Sequence, residues 1–377
     1  MEKRTYPLRH ATPGTETVVT AFCFGPQQAQ RKIYIQASLH ADELPGSLVA
    51  HHLFERLERL EDEGRLPSRI VLVPMCNPLG LRQNLFYGHI GRFDFATGQN
   101  YNRLRSIRLH DWALERLQQQ GFVPSGDAAA NVTQIRAAMQ QSIDAFEPQT
   151  SVEALHAVLV GLAFDADLVL DLHCDNHAVL HLYTLPQLWQ AFEPMARHLG
   201  SECQILAEDS QSDSFDESLS TPWLKLQRAW PDAAIPLACH SATVELRGER
   251  DLSHAWAQQD ADALLQYLHQ LGDVQLPSDA VREAPELARP PHPLQGMQYV
   301  NAPMPGIVVY HVQAGDWVQR GQPLADVVDP VSQEQITVHS PIDGVVFATS
   351  GQRFVHPENK LMSISGAEDI GNASLSP

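Results

Sequence analysis

The sequence predicts an α/β protein, a sheet flanked by helices, followed by a small C-terminal all-β unit of barrel-sandwich type. Three observations carry this. Between Arg31 and Gly272 short apolar runs alternate with stretches of helical periodicity. Residues Pro277 to Pro293 then hold five prolines, which break both periodicities. Beyond them the chain changes to short strands with glycine-rich turns, and it repeats itself.

Taken in order, RKIYIQAS (from Arg31), RIVLVPM (from Arg69), ADLVLDLH (from Ala166) and HSATVELR (from His240) read as strands. Their nearly unbroken apolar character is that of a largely parallel sheet covered on both faces. GSLVAHHLFERLERLEDEG and AWAQQDADALLQYLHQLG carry apolar residues three and four apart and read as helices. Leu104 to Phe146 is Ala- and Gln-rich and weakly periodic, which predicts an inserted pair of helices over about 104–150. HAVLHLYTLP, after His173, reads as further strand, on which His173, His177 and His181 share one face. The proline-rich stretch, 277–298, is expected to be a linker between a unit of residues 1–276 and one of residues 299–377.

In the second unit Ala302-Pro-Met-Pro-Gly-Ile-Val is echoed by Ser340-Pro-Ile-Asp-Gly-Val-Val. Each half then has a second turn, at Gly315-Asp-Trp-Val and at Gly351-Gln-Arg-Phe-Val. This half-repeat resembles the lipoyl and biotinyl carrier domains, whose modified lysine lies in the hairpin between the halves. Here that hairpin reads DVVDPVSQEQIT, and no lysine occurs from Asn301 to Asn359. A swinging-arm carrier is excluded on chemistry, so the unit is expected to be structural or substrate-shaping.

Composition narrows the function. The 377 residues carry 26 Lys and Arg against 45 Asp and Glu, a formal charge of −19. No segment supplies the basic surplus that phosphate binding needs, so a nucleic-acid partner is not expected. The first residues are polar, and no run approaches the length of a membrane span. Five cysteines without a CxxC spacing fit free thiols, so the expected compartment is the cytoplasm. A homo-oligomer is compatible with the sequence.

The chemistry-bearing residues lie at strand ends. The first predicted strand runs into Ser38-Leu-His-Ala-Asp-Glu43, where a His and a Glu three apart can turn toward one metal ion. Spacing alone is weak, because 18 histidines and 45 acids in 377 positions yield about two such pairs by chance, and two occur. The other, His52/Glu55, falls inside the following helix and reads as an ordinary surface pair. His173 ends another strand, and Asp171 points to the same face, placed to orient a metal-bound imidazole. Two His and one Glu leave the fourth zinc position open for water. Glu245 sits in an apolar strand, where an unpaired carboxylate is costly. A salt bridge to Arg247 or Arg250 is the ordinary explanation, and a catalytic base is the other.

Together these residues resemble the succinylglutamate desuccinylase/aspartoacylase branch of the zinc carboxypeptidase-like superfamily, over about Lys32 to Gly272. The family's metal motif matches His40, Glu43 and His173, and its Thr-x-Glu signature matches Thr243-Val-Glu245. The resemblance implies a zinc-carboxypeptidase-like mixed sheet, one zinc per chain, and Glu245 as the base that moves a water proton to the leaving amine. It also implies that Asn102 and Arg103 bind a substrate carboxylate, in Asn100-Tyr-Asn-Arg103, where the usual Asp and Leu are Asn100 and Tyr101. An upstream arginine that helps stabilise the oxyanion is Arg92, with Arg82 as its rival.

The expected activity is a zinc-dependent hydrolysis of an N-acyl amino acid or similar small amide. A carboxypeptidase acting on short peptides is the alternative, and a non-catalytic binding protein on the same fold is the alternative of another class. Cys174 is expected on the opposite strand face as a core thiol, and the acidic stretch Glu208–Glu217 as a solvated loop.

Overall fold

The computed structural model describes residues 1–10, 12–208 and 210–371. The chain lays down β1 (Glu2–Pro7), β2 (Val18–Phe24), β3 (Lys32–Ala37), α1 (Pro45–Asp62) and β4 (Arg69–Val73). A small hairpin of β5 (Asn84–Leu85) and β6 (Gly88–His89) leads through a long loop to α2 (Leu109–Gln119), α3 (Ala128–Ala145) and α4 (Ser151–Ala163). There follow β7 (Leu168–Asp175), β8 (His177–Ala178), β9 (His181–Thr184), α5 (Trp189–Leu199), β10 (Cys203–Leu206), α6 (Phe215–Ala229), β11 (His240–Gly248), α7 (His254–Gln270) and β12 (His292–Pro293).

Nine of these strands form one mixed sheet in the order β1-β2-β4-β3-β7-β11-β9-β10-β12. Its middle, β4-β3-β7-β11, is parallel, as the unbroken apolar runs predict. The antiparallel pairs are β2 on β4, β1 on β2, and β9 on β11. β1 is not legible in the sequence, because it is an edge strand with little burial and no apolar alternation.

Strand alternation divides the core. Ile33, Ile35, Leu168, Leu170, Leu172, Ala242 and Val244 face α1, α5 and α7. Tyr34 and Val169 face the other way, toward Ile135, Leu155 and Trp223 of α3, α4 and α6. Gln36, Asp171, His173, Thr243 and Glu245 continue this second face toward the carboxyl ends of the strands, where ligand sites of α/β sheets lie. Gly46 lets the start of α1 approach that edge, since a Cβ there would come within 2.9 Å of the Leu172 carbonyl oxygen. The inserted helices α2 and α3 form as expected, with the Asp127 side chain accepting from the N–H groups of Ala129 and Ala130.

Two expectations are corrected. The run after His173 is not one strand: the chain turns between β7, β8 and β9, so the three histidines do not follow one another along a strand. His181 still shares the sheet face of His173, since both stand opposite Glu245 of β11, while His177 lies in β8, outside the main sheet. The proline-rich stretch is also more than a linker, because β12 within it pairs with β10 as the outermost strand of the main sheet. An edge is where a strand proline is tolerated. The same stretch is tied down by Arg197, whose guanidinium donates to the carbonyls of Ala284 and Pro285 at 2.9 and 2.6 Å.

The C-terminal residues form β13 (Met297–Asn301), β14 (Gly306–Tyr310), β15 (Trp317–Val318), β16 (Pro323–Asp329), β17 (Glu334–His339), β18 (Gly344–Thr349), β19 (Phe354–Val355) and β20 (Lys360–Ser365). They make two small sheets, β13-β20-β18-β15 and β17-β16-β14-β19, around a shared apolar core. The half-repeat is visible as exchange: β15 of the first half pairs with β18 of the second, and β19 of the second pairs with β14 of the first. Gly306 and Gly344 open equivalent strands, and a Cβ on either would press on a backbone carbonyl, that of Val328 or of Ser365. β8 of the first unit adds to β18, which seats the C-terminal unit over the carboxyl end of the main sheet.

Among the described residues no helix is long and apolar enough to cross a membrane. All five cysteines are free and buried.

Candidate metal centre and its cavity

The loop after β3 turns sharply. Ser38 adopts a left-handed backbone, its hydroxyl donates to the Glu43 carbonyl at 3.0 Å, and the Glu43 N–H donates to the His40 carbonyl. This places His40 and Glu43 side by side just before α1. His173, at the end of the neighbouring parallel strand β7, completes a buried cluster whose ligand atoms all lie within 4.8 Å of one another. His40 Nδ1 is 2.8 Å from Glu43 Oε1, and His173 Nδ1 is 2.7 Å from Glu43 Oε2.

Each imidazole is held from behind by an oxygen. His40 Nε2 lies 2.8 Å from Asn100 Oδ1, a hydrogen bond, and His173 Nε2 lies 3.0 Å from Asp171 Oδ2, a close charge contact without hydrogen-bond alignment. Asp171 is itself fixed by Gln36, which donates at 2.9 Å and accepts from the Tyr34 hydroxyl at 2.8 Å. An acceptor behind each Nε2 favours the tautomer that leaves both Nδ1 lone pairs pointing at Glu43. Two converging lone pairs and a carboxylate are the donor set of a zinc site, so the residues fit a divalent ion.

The electrostatics agree. Burial alone would raise the Glu43 pKa, but His40 and His173 hold it well below the ordinary carboxylate range. Burial disfavours the charged form of His173, yet Asp171 and Glu43 hold its pKa well above normal. Burial, aided by Arg92, lowers that of His40. Of the two imidazoles it is therefore His173 that carries positive charge against the Glu43 carboxylate, and a dication would take the place of that proton.

Asn100, where the resembled family has Asp, keeps the supporting contact: its carbonyl oxygen faces His40 and also accepts the Asn102 N–H at 2.9 Å. Asn102 Oδ1 accepts from the Phe215 N–H at 2.7 Å, so its amide nitrogen is the group left to donate to a ligand. Arg103 donates to the Asn102 carbonyl at 2.7 Å and lines the cavity. Arg92 Nη1 lies 3.2 Å from His40 Nδ1 and 3.3 Å from Glu43 Oε1, whereas Arg82 is exposed and does not line the cavity. Gly91 positions Arg92: its N–H donates to Asp42 at 2.9 Å, and a Cβ there would collide with the backbone of Ala41 and Asp42.

Glu245 lies in β11 directly opposite His173 of β7. Its Oε2 is buried without a hydrogen-bond partner among the described residues, so no salt bridge to Arg247 explains it; Arg247 pairs with Asp260 instead. Burial, then the charge of Glu43, pushes the Glu245 carboxyl up to about 8.

These groups face a cavity of about 240 Å³. Ser210, Ser214, Asp216 and Glu217 form one wall, and Tyr299, Phe347, Lys360 and Ser363 of the C-terminal unit form a roof. The acidic stretch is therefore not merely solvated. Asn102 anchors it through Phe215, and the Leu104 N–H donates to the Asp213 carbonyl at 2.7 Å. Cys174 also lines the cavity, and its backbone N–H donates to Glu43 Oε2 at 3.1 Å. Burial pushes its thiol well above the usual range. His177 and His181 are not among the lining residues, and His181 Nδ1 instead lies 2.8 Å from the Val179 carbonyl. Neither Lys360 nor the acidic wall carries a sequence signal, since both reach the site through long-range packing.

Beneath the Asn100–Arg103 loop, fully buried His156 of α4 donates from Nε2 to the Tyr101 carbonyl at 2.7 Å, and its Nδ1 has no partner among the described residues. Protonation would put an unsatisfied N–H in the core, and burial accordingly lowers its pKa to about 4. A depressed histidine favours the fold fully above its unfolded pKa of about 6.5, and that contribution is lost as pH falls toward the folded value. Stability should drop by about 3 kcal/mol across this window. Thermal melts at pH 7 and pH 4.5 would show a His156→Gln variant to be less acid-sensitive than the parent; equal sensitivity would refute the assignment.

Comparison with known proteins agrees with the resemblance read from the sequence. Residues 29–130, which hold His40, Glu43, Arg92, Asn102 and Arg103, match the succinylglutamate desuccinylase/aspartoacylase catalytic domain family model. No curated protein matches the chain. Among solved structures, a protein from Shewanella amazonensis described as of the succinylglutamate desuccinylase/aspartoacylase family is 24% identical, with 97% of this chain and 98% of that chain covered and a TM-score of 0.81. A second, from Shewanella frigidimarina, is 23% identical over 97% and 96% of the two chains, again at a TM-score of 0.81. The ectoine utilization protein EutE (DoeB) from Ruegeria pomeroyi is 13% identical over 97% and 94%, with a TM-score of 0.65. These are likenesses of fold.

Proposed function

We propose that this chain is a zinc-dependent hydrolase that cleaves the amide bond of an N-acyl amino acid or a similar small, carboxylate-bearing amide. The observation that carries the reading is the convergence of His40 Nδ1, His173 Nδ1 and the Glu43 carboxylate beside the unpartnered carboxylate of Glu245. Zinc held by those three side chains would polarise the scissile carbonyl and acidify water. Glu245 takes the proton of the attacking water as the C–O bond forms, and delivers it to the nitrogen as the C–N bond breaks. Arg92, beside the centre, donates to the oxygen that gains charge as the carbonyl becomes tetrahedral. The Asn102 amide and the Arg103 guanidinium bind the substrate carboxylate.

We read the C-terminal unit as a barrel-sandwich domain that narrows the site. A cavity of about 240 Å³ roofed by Tyr299 and Phe347 suits a small acid better than a peptide, which disfavours the carboxypeptidase alternative. Turnover on N-acyl amino acids against dipeptides, with zinc added, tests the choice; faster dipeptide cleavage would overturn it.

The carboxylate contact gives its own prediction. A lysine is a point charge and cannot reproduce the planar fork of a guanidinium, so Arg103→Lys should lower kcat/KM by roughly 10- to 100-fold. Methylating the substrate carboxylate should cost the parent a similar factor. Equal rates on acid and ester would sink this part of the proposal.

A further inference from the structure

Two turns into α1, away from the cavity, a second set of ligand-type side chains comes together. His51, His52 and Glu55 present ligand atoms that all lie within 4.8 Å of one another. The helix accounts for the grouping, since residues three and four apart share a face. His51 Nε2 is 3.5 Å from Glu55 Oε1, and His52 Nδ1 is 3.4 Å from Glu55 Oε2. These separations are long for hydrogen bonds. Each is close to the separation of about 3.4 Å between two ligand atoms of a tetrahedral ion with bonds of about 2.1 Å, and each imidazole reaches a different oxygen of the one carboxylate.

His52 gives the cluster a fixed side. Its ring is 4% exposed, and its Nε2 lies 3.0 Å from Nδ1 of His254, the first residue of α7. A proton on His52 Nε2 donated to His254 leaves the Nδ1 lone pair toward Glu55. That is the arrangement of His40 with Asn100 at the central site. The cation next to Glu55 does not compete, because the Arg56 guanidinium is engaged by Asp262 at 2.5 Å and the His52 carbonyl at 3.1 Å.

We infer that His51, His52 and Glu55 form a second binding site for a borderline divalent cation such as Zn2+, with His254 as a positioning residue. Two imidazoles and a carboxylate select Zn2+ over the hard cations Mg2+ and Ca2+. Because His51 and Glu55 are exposed, the site is weaker than the buried central one. Occupancy would brace α1, whose first turn follows Glu43, against α7.

The test uses the full chain, stripped with a chelator and titrated with Zn2+ by calorimetry, with bound metal counted after equilibrium dialysis. The parent should take up a tight and a weak equivalent. The double variant His51→Ala/Glu55→Gln, changed only at exposed positions, should keep the tight equivalent and lose the weak one. Glu43→Gln should do the reverse, and His254→Gln should weaken the second equivalent by about 10-fold. The inference is overturned if the double variant binds as much zinc as the parent, or if the parent shows no second equivalent up to roughly 1 mM, the weak end of functional protein–metal sites. Retention of the tight equivalent in Glu43→Gln would overturn the proposed central site instead, so the two failures are distinguishable.

Discussion

A His40→Ala protein is expected to remain folded and to lose the tight zinc equivalent. His40 supplies one of three ligand atoms in a cluster that the fold buries and pre-orients. Even removal of a contact behind a ligand costs roughly 10- to 100-fold in metal affinity. Loss of the ligand itself should cost more, and Asp171→Asn, which changes only the group behind His173, should fall inside that smaller range. Metal analysis after dialysis against a weak chelator separates the three proteins. Zinc content in His40→Ala equal to that of the parent would remove His40 from the centre and make Cys174, whose backbone N–H already touches Glu43, the next ligand to examine. Activity is not needed for this readout, so it tests the site independently of the substrate.

The same cluster explains why part of this site was legible in the sequence. His40 and Glu43 sit in one turn, and Thr243 and Glu245 alternate within one strand, so local geometry places each pair and a short motif can carry it. Asp171 and His173 point one way for the same period-two reason. Asn100, Asn102 and Arg103 are also local, and the structure adds that Asn100 takes up the contact to His40. The cavity walls depend on what folds onto what. Lys360 lies 187 residues after His173, and it is brought near by the packing of the C-terminal unit on the first, in which the two-residue strand β8 pairs with β18. Likewise Ser214 and Asp216 read as loop composition until the Phe215 N–H is found on Asn102. The parallel strands announced themselves by uniform burial. β1 and β12 did not, because edge strands bury little and β12 contains a proline.

The last expectation concerns Glu245. Its position opposite His173 in the sheet is set by backbone register, so the carboxylate arrives beside the centre without any support of its own: Oε2 has no hydrogen-bond partner among the described residues. Burial and the neighbouring Glu43 push its pKa up to about 8, and a dication held by His40, Glu43 and His173 would draw it back down, giving the ionised form that a base needs to accept a proton from water. Glutamine has nearly the same shape and volume, and its amide neither accepts a proton from water nor returns one to a departing nitrogen. Glu245→Gln should therefore keep the fold and the tight zinc equivalent while kcat falls by at least roughly 10²-fold, the usual scale for losing a positioned acid–base group. KM should change little, because in the proposed reading Arg103 and Asn102 rather than Glu245 bind the carboxylate. Near-parental turnover in a fully metallated Glu245→Gln enzyme would place the base elsewhere, and Asp175, which lines the same cavity, would be the group to replace next.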